Sequence, residues 1–478
     1  MPTKVLHAHL AFWTLAAVTV LAFSVHPDCL AGQAVQWPLD MHTVPLAFPG
    51  AVGFGRYATG GRGGEVYHVT NLHASGPGSL YEGIASSRPE VPRTIVFAVA
   101  GTTETQSAVF TGKANLTIAG ETAPGDGFCW RGDLRFNGAE NMVIRNLRFR
   151  CDPLPDVVKW CVFFDGSQHQ VSDVIMDRCT FSWSTDEMLS FHRAARVTIQ
   201  YCLLHEWCRC FVASNAAGKS AMSFDDCQGV TIYRNVMAHT PWRAPLVSGE
   251  RFQIYENVVY NQRDMAGMVL AGAPGRTLVD TQVELVSNLR LTGPAAEIAF
   301  PSGANLQWLQ IGNAYDYGIG TNSIYTSGNV ADPDLRNDQL DLVPARLDGE
   351  FVARPVPWTG HDPAWPVLAV SNVDAAWLSD RLSSVGPIQG FDAAEQRVVN
   401  DIVSRSDAQM TECTYLGAPG FSDYFPLNPL AVGGYPKLQS ACGSSRAGIS
   451  QDCPSTNRPT ICRPCWAQTI WRRARWRR

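Results

Sequence analysis

The sequence predicts an all-β fold, a right-handed single-stranded parallel β-helix with short capping helices. Charged residues make up only 17% of the chain, while Gly (41) and Pro (30) are plentiful. That balance fits a turn-rich β protein better than a helical bundle or a disordered chain. Short apolar clusters of one shape recur, each with Asn or Cys at its fourth place, beginning at Val143, Met176, Ile199, Ile232, Ile254 and Leu285. Successive starts differ by 33, 23, 33, 22 and 31 residues, which implies a basic turn of about 22 residues with inserts of about ten. Such self-similarity marks a solenoid, in which each unit buries its apolar face only by stacking on its neighbours. A leucine-rich repeat is disfavoured because the Leu-x-x-Leu-x-Leu spacing is absent and β-branched residues are common at the apolar places. Asn235, Asn257 and Asn288 then form a ladder along the stack.

The elements follow in order. Residues 1–34 read as a secretory signal peptide: an apolar run from about Leu10 to Ser24 precedes small residues near Ala31, Gly32 and Ala34. His26, Pro27 and Asp28 end the run after about 15 residues, short of the roughly 20 that a membrane span requires. The mature protein is therefore expected to be extracellular, without a membrane partner and monomeric. Residues 45–335 carry the β-helix. Ser79-Leu-Tyr-Glu82 is a capping-box signature for a short helix closing its N-terminal end. Residues 336–405, rich in Pro, Asp and Trp at their start, read as an extension along the solenoid. Asp392-Ala-Ala-Glu395 opens a helix there that runs to about Val403. Residues 406–478 form a Cys-containing, basic tail ending in Trp471-Arg-Arg-Ala-Arg-Trp-Arg-Arg478. Trp interleaved with Arg is one way to contact a polyanion, but this stretch reads as untethered, and no nucleic-acid partner is expected. The chain has 14 cysteines, some of which export would allow to pair. Cys208 with Cys210, or Cys462 with Cys465, lacks the second pair plus His that a zinc site requires, and Cys179 and Cys202 read as buried thiols.

Several segments carry a resemblance: Phe48-Pro-Gly-Ala-Val-Gly-Phe-Gly55, Thr59-Gly-Gly-Arg-Gly-Gly64 with Val66-Tyr-His-Val-Thr-Asn71, Gly76-Pro-Gly-Ser-Leu80, Thr117-Ile-Ala-Gly-Glu-Thr-Ala-Pro-Gly-Asp126, and Ser182-Trp-Ser-Thr-Asp-Glu187. In this order, and with the later clusters, the chain resembles the pectate lyase superfamily over about residues 48–260. The resemblance implies β-elimination on a galacturonate polymer, pectate or pectin. A base removes the C5 proton next to the carboxylate, the C4 oxygen departs, and nearby cations stabilise the enolate-like charge. It implies that the base is the Arg of an Arg-x-Pro motif, here Arg243-Ala-Pro245. Arginine is an awkward base because its guanidinium stays protonated at ordinary pH. His239 has the better intrinsic pKa but is expected to orient the turn. Arg209 stands where similar lyases carry a carboxylate-gripping Lys, and His239, Trp242 and Asp177 complete the expected substrate-binding set.

The resemblance also implies calcium, with carboxylates at the first and fifth places of Asp186-Glu-Met-Leu-Ser190; the fifth is Ser190. Asp165, with Asp173 and Glu187 behind it, is the nearest supplement to Asp186 as a ligand. Calcium takes six to eight oxygens, so the expected site is weak. Arg178, Arg193 or Arg209 are candidates to supply the missing positive charge, and Trp183, Trp207 and Trp242 to line a cleft. Two alternatives stand beside the lyase: a non-catalytic protein that binds acidic polysaccharide, and a polygalacturonase-like hydrolase using Asp225-Asp226. The second lacks that family's Gly-His-Gly and Arg-Ile-Lys elements.

Overall fold

The computed structural model describes residues 44–151, 160–207, 221–240, 243–262, 266–270, 281–294, 307–311, 322–331, 351–406 and 439–440. Signal-peptide residues, Arg209, Trp242 and nearly all of the basic tail lie outside them. From Glu65 to Ala353 the described strands pair with one another in parallel, each lying on its counterpart one turn away, and Val99–Thr102 also takes the short antiparallel strand Gln439–Ser440. One full turn runs through Val162–Asp165, Val171–Asp177 and Thr180–Ser182; the next runs through Leu189–His192, Ala194–Gln200 and Leu203–His205. In the two following turns the first and second strands merge into the bent strands Met222–Tyr233 and Leu246–Tyr255. The chain is a parallel β-helix.

Inward positions stack like with like because equivalent residues of adjacent turns lie about 4.8 Å apart. Phe136, Phe164, Phe191 and Phe224 form one such column, with ring centroids 5.0, 4.5 and 5.5 Å apart. At the bend between second and third strands Asn235, Asn257, Asn288 and Asn329 form the ladder. The backbone N–H of each of the first three donates to the next side-chain oxygen at 2.9 Å. Cys202 and Cys179 continue it: the Cys202 N–H donates to Asn235 Oδ1 at 2.8 Å, and the Cys179 N–H to Cys202 Sγ at 3.4 Å. The first cluster sits one residue out of the expected register. Val143 pairs with Ile175 rather than Met176, so Leu147 takes the ladder place and Asn146 the left-handed position (φ 54°) that Arg178 fills next.

Residues 47–61 cross the second strands from outside, and side chains of the sheet hold their backbone. Thr198 accepts from the Gly55 N–H at 2.9 Å, Thr231 from Phe54, Gln200 from Val52 and Thr117 from Gly61. Contact is so close that a Cβ on Gly55 would lie 2.5 Å from the Val174 oxygen, and one on Gly61 2.0 Å from that of Arg93. The Gly-rich N-terminal motifs are thus a strap that demands absent side chains.

Two further elements match the capping signals. Ser79 accepts from the Glu82 N–H at 3.1 Å, opening the helix Leu80–Ala85. Asp392 and Glu395 form a full capping box on the helix Ala393–Ser404. The stretch read as irregular also holds the helix Ala375–Ser384, capped by Asp374. Both late helices bury Trp377, Leu382, Val398 and Ile402 against Leu203, Val236, Val258 and Leu289 of the third strands. Buried ion pairs pin them there: Arg148 to Glu395 at 2.7 Å, Arg381 to Glu256 at 2.6 Å, and Arg397 to Glu206. Among the described residues no helix is long and apolar enough to cross a membrane.

Candidate active site

Chain segments that return from a third strand to the next first strand leave the same corner of the helix. Residues 183–188 follow Thr180–Ser182, and two turns later residues 239–240 follow Val236–Ala238 and residues 243–245 precede Leu246–Tyr255. Equivalent points two turns apart are separated by about 10 Å, a span that two long side chains bridge. Arg243 and Glu187 do so. Arg243 Nη1 donates to Glu187 Oε1 at 3.1 Å across 56 residues of sequence, and both side chains are buried. The Trp160 indole N–H donates to the other carboxylate oxygen at 2.7 Å. Asp186 stands beside this pair, its backbone oxygen held by the Trp207 indole at 2.6 Å and by the Ser184 hydroxyl at 2.9 Å. Burial, then the adjacent Glu187, push the Asp186 carboxyl up to about 8, against the pull of Arg243.

The site therefore gathers one guanidinium, two adjacent carboxyl groups and two indoles. Arg243 and Asp186 are brought together as expected, through Glu187, which the sequence offered only as a spare ligand. The remaining expected residues go elsewhere. Asp177 ends a second strand and is buried there between Arg145 Nε at 3.0 Å and Gln200 Nε2 at 2.8 Å. Gln200 in turn holds the strap at Val52 and Gly50, so Asp177 is a structural carboxylate of another corner rather than a substrate contact. His239 is 1% exposed, with Nδ1 3.0 Å from Asn261 Nδ2 and Nε2 3.5 Å from Asp401 Oδ2. It packs under the C-terminal helix Ala393–Ser404.

Asp165 lies at the far end of its first strand, beside His192 one turn on. Burial opposes its ionisation, but hydrogen bonds from Ser167 and Arg135 prevail and hold the carboxyl down at about 2. Asp173 pairs with Arg196 on a second strand. Arg178 reaches the Ser384 oxygen, Arg193 reaches Asp226 at 3.4 Å, and Trp183 donates inward to Glu206 at 3.1 Å. None of these cations faces Asp186. Asp225 and Asp226 diverge, the first lying 3.7 Å from His192 and the second under Arg193, so they do not form a hydrolase-type pair.

Calcium requires several ionised carboxylates around one point. The described residues do not fit it: Glu187 is committed to Arg243 and Trp160, and the Asp186 carboxyl favours its protonated form. The outward row through Ser190 continues into Phe163 on one side and Ser223 on the other. Among the described residues no three His, Cys, Asp or Glu side chains converge as a metal cluster. Phe163 instead packs against Trp160 at 5.2 Å and carries the Arg135 guanidinium over its ring at 4.8 Å. Trp160 and Phe163 are not among the residues that the resemblance offers for the site.

No family model matches the chain. It is 32% identical over 311 residues to probable pectate lyase C of Aspergillus terreus, covering 64% of this chain and 66% of that protein. It is 33% identical over 279 residues to probable pectate lyase C of Emericella nidulans, covering 57% and 60%. The chain thus spans less than two thirds of the length of these curated relatives. Among solved structures, the pectate lyase of Bacillus sp. N165 in complex with trigalacturonate aligns with a TM-score of 0.48 at 15% identity, covering 70% of this chain and 98% of that one. With its parallel β-helix, Gly-rich strap and Arg243-Ala-Pro245 beside Asp186 and Glu187, the chain is similar in sequence to these pectate lyases.

Proposed function

We propose that the protein is a secreted polysaccharide lyase that cleaves a galacturonate-containing polymer by β-elimination, with Arg243 acting at C5. The observation that carries this reading is the placement of Arg243, fixed by Glu187 at the corner where successive return loops meet. A polymer lying across that corner along the stack meets the guanidinium with its uronate carboxylate. Loss of the C5 proton sends its electron pair into a C4–C5 double bond, and the C4–oxygen bond breaks with the pair leaving on oxygen. The guanidinium binds a carboxylate in two-pronged fashion and opposes the charge that grows on it.

Glu187 bears on how Arg243 does this. In the resting contact Arg243 donates to Glu187, so to take the C5 proton it must first release a proton, which the Glu187 carboxylate is placed to accept. Removal of the C5 proton by Arg243 is part of the proposal, with the Glu187 contact as its resting state. Trp160 and Phe163 offer flat apolar surface for sugar rings beside it. The deciding assay measures ultraviolet absorbance on polygalacturonate and on pectin, each with calcium or with chelator. Elimination yields a conjugated, absorbing product and hydrolysis does not. Absence of an unsaturated product from every uronate polymer would leave a binding protein in place of a lyase.

A further inference from the structure

Two thiols flank the chain segment that brings Trp160 to Glu187. Cys151 follows the strand Leu147–Arg150 and Cys161 precedes the strand Val162–Asp165. Their Sγ atoms lie 3.6 Å apart, and both residues are fully buried. The backbone is anchored on each side: the Cys151 N–H donates to the Ser182 oxygen at 3.1 Å, and the Leu134 N–H to the Cys161 oxygen at 3.2 Å. The thiols face the same small space, Cys151 Sγ lying 3.3 Å from the Trp160 oxygen and Cys161 Sγ 3.2 Å from that of Ser182. A disulfide has its sulfurs about 2.05 Å apart, so closure by about 1.5 Å joins them, within the reach of small side-chain rotations. Other described cysteines have other duties. Cys202 Sγ accepts from the Cys179 backbone in the ladder at 3.4 Å, and Cys227 Sγ donates to the Phe191 oxygen at 3.6 Å.

We infer that Cys151 and Cys161 are a disulfide pair, closing residues 151–161 into a covalent ring that anchors Trp160 beside Glu187. In the oxidising step a thiolate of one cysteine displaces glutathione from glutathione disulfide, and the other thiolate then attacks the mixed disulfide. Two thiols give up two protons and two electrons, and one glutathione disulfide becomes two glutathiones. Both sulfurs are sealed once the next turn stacks, so the bond forms during folding. Reductant does not reach it in the native state.

The experiment uses the full chain, folded with glutathione disulfide present, then denatured with iodoacetamide and digested with trypsin without reduction. Cleavage after Arg150, Lys159 and Arg178 separates the two cysteines into peptides 151–159 and 160–178. The expected result is one linked species of these two peptides, two hydrogens lighter than their sum, that survives prior treatment of the native protein with dithiothreitol. In the variant Cys151→Ser, Cys161 should change from unalkylated to fully alkylated in denaturant. Carboxamidomethyl groups on both cysteines of the parent overturn the inference, as does linkage of either one to a third cysteine. The readout is a mass, so it stands or falls apart from any lyase activity.

Discussion

Replacing Arg243 by Lys tests the proposed chemistry most directly. Arg243 is 4% exposed and donates to Glu187 at 3.1 Å. Deleting the cation would leave a buried carboxylate unpaired, at a cost of about 3–5 kcal/mol. Lys keeps that charge, so the melting temperature should move little. What Lys loses is the planar fork. If Arg243 takes the proton from a fixed position, unsaturated product should form about 10² to 10⁴ times more slowly, equivalent to roughly 3–5 kcal/mol of transition-state stabilisation. Polymer binding should hold, because loss confined to the transition state lowers kcat without raising KM. A companion variant separates base from fixed cation. Glu187→Gln removes the carboxylate that can accept the proton Arg243 must release, so product formation should fall for a base and persist for a fixed cation. Arg243→Lys with activity close to the parent's, or Glu187→Gln with product formation unchanged, would refute the base. His239 would then be the next residue to replace.

Other consequences can be measured separately. Chelator should barely reduce product formation, and added calcium should leave the melting temperature unchanged; strong dependence on calcium would mean ligands beyond Asp186 and Glu187. Asp186 ionises at about 8 in the folded protein against 3.8 in the unfolded chain. The folded state therefore holds the extra proton between those values, and stability falls as pH rises through that window. Asp186→Asn should remove this slope and gain on the parent by on the order of 1–3 kcal/mol near pH 8, read from melting curves at pH 4 and pH 8; parallel curves would refute it. Asn257→Ala takes the side-chain partner from the Asn235 N–H and from the Ile232 oxygen, while the Asn288 oxygen keeps the residue-257 backbone N–H, at about 1–3 kcal/mol for each buried group left unsatisfied. Glu395→Ala strands Arg148 in the interior and should cost about 3–5 kcal/mol in denaturant unfolding. A loss below about 1 kcal/mol in either case would show that water relieves the exposed partner.

The repeat was legible because a stack forces equivalent residues onto one another. Asn235, Asn257 and Asn288 announced themselves by spacing, and Asn329 continues the same series behind Gly328. Cluster one misled because Asn146 is the correct residue type in the wrong place: it takes the left-handed position, and Leu147 the ladder position. Asp177 misled in a similar way. It is an acidic residue in a resembling segment, but its place at the end of a second strand aims it at Arg145 and Gln200. The helix Ala375–Ser384 was missed amid Pro-rich sequence, although Asp374 accepting from the Trp377 N–H is an ordinary N-cap. The Glu187–Arg243 contact was not legible at all. It depends on how two inserts of unequal length stack, and no local pattern encodes a pairing across 56 residues.

Burial alone does not decide how an acid behaves in this molecule; its company does. Glu206 is wholly buried, and burial raises its pKa, yet His205, Arg397 and the more distant His239 outweigh that and hold the carboxyl at about 2. It is a permanent anion that ties the C-terminal helix to the third strands through Arg397. Asp165 is likewise held at about 2 once Ser167 and Arg135 overcome desolvation. Asp186 lies between them in burial, but its neighbour is another acid, and the guanidinium nearby donates to that neighbour. Three carboxyl groups on successive return loops and strands thus sort into two fixed charges that hold the fold and one that favours its proton near neutral pH. The one that departs upward is the one beside Arg243. With Asp186 protonated, the Arg243–Glu187 pair leaves the corner close to neutral, so an incoming uronate is not repelled. Ionising Asp186 as well makes the corner net negative and repels the substrate, so polymer affinity should weaken as pH climbs past about 8. Affinity that stays level across that range would show that the corner's charge does not govern capture.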